Sequence, residues 1–352
     1  MAEFLGIGVS HYPPFSGVNE NMADIFLYRM EDPGVPASAK DPANWPDKLR
    51  EEWGEDRGMA AAERHRTQMK DGMAKCMQAI RDFNPDYCII FGDDQYENFR
   101  EDIVPPFSVL AYEDMVLRPW AQAAGSSDMV GKPNYWNEPY DFELPIRFAS
   151  DEARQLTRDL ILAEFDLAYA YKPLHHPGIA HSILNAILYL DWERKGWDWP
   201  IIPFTVNCYG EKVISHRGFL SRVEDDLRPD PPSPTPKRCF DLGVNIAKIL
   251  KDSPDRVALI ASSSWSHAFL CDKTWRMLPD VEFDRGMYRA LVEGDFERWR
   301  SRSLQEITET GNQEMLNWMA LMGAMSELGR KPVWSDFAET YLFNSSKVAA
   351  IF

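Results

Sequence analysis

The sequence predicts an α/β fold: one domain with a mainly parallel central sheet, flanked by helices and closed by a helical C-terminal cap. Short runs rich in apolar, β-branched or aromatic residues alternate with longer amphipathic segments, and most of the short runs are apolar enough to be buried on both faces. Length agrees, because 352 residues with 45% hydrophobic and 26% charged side chains suffice for one large core.

In chain order, "FLGIGVS" reads as the first strand, and Pro13 and Pro14 stop it soon after His11. "GMAAAERHRTQMKDGMAKCMQAIRDF" spaces its apolar residues at three and four and is closed by Asn84-Pro85. "DYCIIFGD" is the second strand. "SDEARQLTRDLILAEF" opens on Ser150 as the expected N-cap, with Asp151 and Glu152 at the positive end of the helix dipole. "DLAYAY", "WPIIPFTVN" and "RVALIAS" are further strands, separated by the helical "HSILNAILYLDWERKG" and "CFDLGVNIAKILKD". After about residue 280 the pattern turns helical and predicts a cap over the sheet. Residues 31–57 and 222–237 are rich in Pro and turn formers. Both read as excursions from a single domain spanning 1–352, the first within a long helical insertion at 18–80.

A net charge of -17 disfavours nucleic acid and anionic lipid as partners. No stretch approaches the ~18 apolar residues of a membrane span, and "MAEFLGIGVS" lacks a basic leader, so the expectation is a cytoplasmic protein. Five scattered cysteines without a CxxC suit reduced thiols.

Histidine placement points to chemistry. In an open parallel sheet the carboxyl ends of the strands line one crevice. His11 follows the first strand; Gln95, within the acid-rich "FGDDQYENF", follows the second. His175, His176 and His181 follow the third in "KPLHHPGIAHS", and His267 follows the last in "ASSSWSHAF". Imidazoles and carboxylates with open positions suit a non-haem Fe(II) site that takes substrate and dioxygen together, with an unligated histidine as base. Tyr12, Tyr96 and Tyr209 lie close enough in sequence to these loops to wall a planar ring. His65 and His216 read as packing or surface residues.

These segments also resemble a known family. "VSHYPPF", "CIIFGDDQYENFREDIVPPF", "LILAEFD", the histidine-rich loop, "PIIPFTVN", "KRCFDLG", "SSWSHAF" and "DVEFD" occur in the order found in the type III extradiol ring-cleavage dioxygenases. The resemblance implies a single α/β domain and an iron held by two histidines and a glutamate. His11 is then similar to the first histidine ligand and Glu282 to the carboxylate ligand. His176 is similar to the base that takes a proton from the catechol hydroxyl, with His181 a rival and His267 a further histidine of the site. Gln95 stands where the family has its second histidine ligand, and an amide oxygen is a weaker donor toward Fe(II) than imidazole. Gln95 coordinating, replacement by His267, Asp94 or His65, and loss of iron all stay open at this point.

The implied activity is dioxygen-dependent opening of a catechol-like aromatic, a vicinal diol or an aminophenol. The implied partners are the small aromatic and dioxygen, in a homo-oligomer or with a small helical subunit. Two other readings fit the same donors: a hydrolase or lyase using zinc or manganese on this scaffold, and a non-catalytic partner subunit with a degenerate site.

Overall fold

The computed structural model describes residues 2–123, 131–217, 222, 223, 225 and 228–352. From β1 (Glu3–Val9) the chain passes through α1 (Asp24–Glu31), α2 (Ala37–Lys40) and α3 (Asp47–Trp53) into the long α4 (Met59–Phe83) and β2 (Tyr87–Asp93). There follow β3 (Phe107–Leu110), β4 (Met115–Leu117), α5 (Pro119–Ala123), β5 (Leu144–Ile146), α6 (Ser150–Leu162), β6 (Ala168–Ala170), α7 (His181–Leu190) and β7 (Ile201–Val206). The remainder is α8 (Val213–His216), α9 (Pro236–Leu250), β8 (Arg256–Ser262), α10 (Val281–Glu293), α11 (Phe296–Arg300), α12 (Leu304–Glu309), α13 (Met315–Glu327), β9 (Trp334–Ala338) and β10 (Lys347–Ile351).

Eight strands form one sheet in the order β6-β3-β7-β2-β8-β1-β10-β9, and β4 pairs with β5 apart from it. The central β7, β2, β8 and β1 are mutually parallel. They are almost wholly buried, which is why they read in sequence as unbroken apolar runs. All five expected strands form. One runs the other way: β6 is parallel to β3, and β3 is antiparallel to β7. The carboxyl end of β6 therefore faces away from the crevice, and the chain turns back before His181 opens α7. The C-terminal cap also ends earlier than its sequence suggests. Beyond α13 the chain adds β9 and β10, which extend the sheet antiparallel from β1. "KVAAI" is too short a run to announce a strand unaided.

Helix α4 lays Ala61, His65, Met69, Met73, Cys76 and Ile80 against one face of the sheet, a three-and-four spacing that makes one buried stripe. It stops at Asn84 in the left-handed region (φ 46°), whose N–H reaches the Ile80 carbonyl at 2.8 Å. Ser150 does not cap α6; its hydroxyl donates to the Tyr112 carbonyl instead, and Thr235 provides a side-chain cap for α9.

On the opposite face α13 is buried on every side from Met315 to Met325. Its neighbour α9 meets it backbone to backbone. A Cβ on Gly243 would stand 1.7 Å from the Ala320 carbonyl oxygen, and one on Gly323 would stand 1.9 Å from that of Phe240. Beneath α13, a Cβ on Gly8 would meet the Trp318 ring at 2.1 Å. The helix is thus seated by three glycines, and its first turn projects over the ends of β1, β2 and β8. All five cysteines are free and buried, and burial pushes the Cys76 thiol up to about 12. No helix among the described residues is long and apolar enough to cross a membrane.

Candidate active site

At the end of β1, His11 is 1% exposed. Its Nδ1 lies 3.1 Å from the Ser262 hydroxyl at the end of β8, and that hydroxyl donates its own proton to the Ser182 carbonyl at 2.6 Å. Ser262 can then only accept from His11. The ring is fixed as the Nδ1–H tautomer with the Nε2 lone pair turned outward, as a second-sphere partner fixes a metal-binding imidazole.

Nε2 faces two buried carboxylates, Glu314 at 3.4 Å and Asp93 at 3.8 Å. Asp93 ends β2, and Glu314 precedes α13. Glu314 is the hub of the site: its oxygens accept from the Tyr209 hydroxyl at 2.8 Å and the Ser264 amide at 3.2 Å, and they lie 3.2 Å from His267 Nε2. The Gln95 amide nitrogen donates to Asp93 at 2.9 Å, to Tyr209 at 2.7 Å and to Glu314 at 3.3 Å. His181 completes the group, its ring 5.3 Å from that of His11 and edge-on to it. One donor atom each from His11, Asp93 and His181 falls within 4.8 Å of the others.

The electrostatics divide these groups. Burial raises Asp93 well above the usual carboxylate range, and the Glu314 charge adds to the effect. Burial also lowers His11 to about 4, against the pull of Glu314, so its ring is neutral at pH 7. His181 goes the other way. Burial opposes its charge, but Glu97 outweighs that and, with Asp93 and Glu314 behind it, holds the ring up to about 10. Glu97 accepts from His181 twice over, from Nδ1 at 3.0 Å and from the backbone amide at 3.0 and 3.1 Å.

The structure thus gathers His11, Gln95, His181, His267 and Tyr209, keeps His176 within charge range of Glu97 and His181, and leaves the remaining sequence candidates outside. Glu282 is exposed in the first turn of α10 and paired with Arg285; the buried carboxylate beside His11 is Glu314. His176 is half-buried, feels Glu97 only by charge, and leaves Nδ1 unpartnered among the described residues; burial lowers its pKa. Asp94 caps its own turn, accepting from the amides of Glu97, Asn98 and Phe99 at 3.0, 2.9 and 3.3 Å. His65 packs on Phe343 behind the sheet. Tyr12 is a core residue, 1% exposed and bonded to the Met22 carbonyl at 2.7 Å. Tyr96 binds Glu101 at 2.8 Å away from the cluster.

Sequence reading missed the roles of Glu314, Asp93, Glu97 and Ser262. Glu314 did carry a signal, a lone carboxylate heading a helix with no solvent face.

A buried tautomer-fixed histidine, a second histidine and paired carboxylates gather here, and part of the chain that builds this site is similar to a known family. Residues 230–348 match the family described as the catalytic LigB subunit of aromatic ring-opening dioxygenase. Relatives named 2,3-dihydroxyphenylpropionate/2,3-dihydroxicinnamic acid 1,2-dioxygenase are similar at low identity. That of Photorhabdus laumondii is 23% identical over 222 residues, 63% of this chain and 55% of the relative. That of Comamonas testosteroni is 23% identical over 195 residues, 55% of this chain and 47% of the relative. That of a Rhodococcus species is 24% identical over 292 residues, 73% of this chain and 82% of the relative. The first two matches therefore span about half of the relatives' length. A crystal structure of an uncharacterized Escherichia coli K12 protein superposes with a TM-score of 0.47 at 10% identity, covering 81% of this chain and 92% of that one.

Proposed function

We propose that this chain is a metal-dependent extradiol-type dioxygenase that opens the ring of a catechol-like aromatic. The observation that carries the reading is the His11–Glu314–Asp93 convergence, with the His11 tautomer preset by Ser262. His11 Nε2 lies within 3.8 Å of an oxygen of each acid, an approach that suits a divalent cation. Burial, with the Glu314 charge adding to it, disfavours the charge on Asp93, and a cation between the two carboxylates and a neutral imidazole would offset both effects. His11, Asp93 and Glu314 would hold it, with the Gln95 amide bridging the two acids from behind. One imidazole with several oxygen donors is a hard set, suited to Fe(II) or Mn(II).

Bound there, Fe(II) would supply Lewis acidity toward a vicinal diol and a redox couple for dioxygen. The chain's own residues do the rest. His181, with Nδ1 committed to Glu97 and its ring held in the charged form, carries a proton on Nε2 that it can donate to a substrate oxygen as the ring opens. Glu97 fixes the ring orientation and stabilises its charged form. Tyr209 and His267 hold Glu314 in place from the other side. The names of the relatives support a substituted 2,3-diol as substrate class.

Anaerobic loading with Fe(II), followed by oxygen uptake with a panel of catechols, tests the reading. Stoichiometric uptake with at least one diol is expected. No uptake from fully loaded protein would sink it.

A further inference from the structure

The eight-stranded sheet ends at β6, which has β3 on one side and, among the described residues, no strand on the other. The Ala111 amide donates to the Ala170 carbonyl at 2.8 Å, so Ala168 and Ala170 turn their backbone groups toward β3. Tyr169 then turns its N–H and C=O outward, and no described residue meets them. Apolar surface surrounds this edge. Ile161, Leu162, Tyr169 and Tyr171 are 42%, 70%, 52% and 54% exposed and share the lining of a cleft of about 300 Å³. A bare strand edge beside exposed aromatic and aliphatic side chains invites another strand.

We propose that this edge is covered by β6 of a second copy of the chain, the two strands running antiparallel about a two-fold axis at Tyr169. The backbone allows it: the outward groups of Tyr169 meet those of its own copy, and Leu167 meets Tyr171 on each side, as in the hydrogen-bonded pairs of an antiparallel ladder. Charge selects the register. With Tyr169 opposite itself, Asp166 of each copy faces Lys172 of the other, giving two opposite-charge pairs per dimer. Both residues are exposed, and neither has an ion pair or side-chain hydrogen bond among the described residues. Moving the axis to Ala170 sets Asp166 against Leu174. Moving it to Ala168 sets Lys172 against Glu164, which lies in a positive-φ turn (φ 61°) outside the strand. The same patch serves both partners, as a closed two-fold dimer requires. The inference is independent of the dioxygenase reading.

Sedimentation across a concentration series tests it, with circular dichroism confirming that each variant folds. The expected mass is twice the 40.5 kDa of one chain. Asp166→Lys or Lys172→Asp alone should weaken the dimer at least tenfold, and the two together should restore it. Tyr169→Cys adds an exposed thiol to a chain whose five cysteines are buried, and it should cross-link the dimer on mild oxidation. Hydrogen-bonded antiparallel pairs hold their Cα atoms about 5.5 Å apart, within disulfide range. A monomer at every concentration, single charge reversals without effect, a double reversal that fails to restore association, or a dimer that does not cross-link through position 169 would each overturn the proposal.

Discussion

Glu314 touches two histidines, a tyrosine and an amide while 1% exposed, so its charge is committed to the site alone. Replacing it with Gln should lower metal affinity by at least about 100-fold, beyond what loss of an outer-sphere partner costs. Glu282→Gln should leave affinity unchanged; metal content after dialysis against buffered Fe(II) separates the two. Glu97 is tested by pH. His181 is raised above its ordinary value of 6.5 to about 10, so its charge stabilises the folded state fully below about pH 6.5. That contribution fades as pH rises and is gone above about 10. Glu97→Gln in metal-free protein should therefore be less stable than the parent near pH 6, and the difference should shrink toward pH 10. Urea denaturation across that range measures it, and a gap that does not narrow would refute the assignment of the proton to His181.

The α9–α13 contact places Glu314 as firmly as any bond to it does. Gly243→Ala should cost about 1–3 kcal/mol by forcing the helices apart, read as a lower urea midpoint. Metal affinity should fall with it, because α13 carries the carboxylate. Elements were legible from sequence where burial is two-sided and long, as in β1, β2, β7 and β8, or where a stripe repeats over many turns, as in α4. They were illegible where the run is short: "FSVL" and "KVAAI" become strands only because neighbours with exposed backbone await them. The site divides similarly. His11 was legible because it follows a strand. Glu282 and Glu314 share one signature, an acid at the head of a helix, and only the tertiary packing sends one to solvent and the other to the centre.

Across the whole molecule, a cation held by His11, Asp93 and Glu314 would join β1, β2 and α13, and stability should follow its concentration. At 100 times its Kd it should add about 2.7 kcal/mol, seen as a rise in Tm that excess chelator reverses. A Tm indifferent to Fe(II) and Mn(II) would argue against any native site. The donors come from far-separated stretches of the chain, and β1, which delivers His11, lies between β8 and a strand laid down after α13. A cation bound there would therefore close a long loop of chain between His11 and Glu314 and tie together segments that no local contact joins.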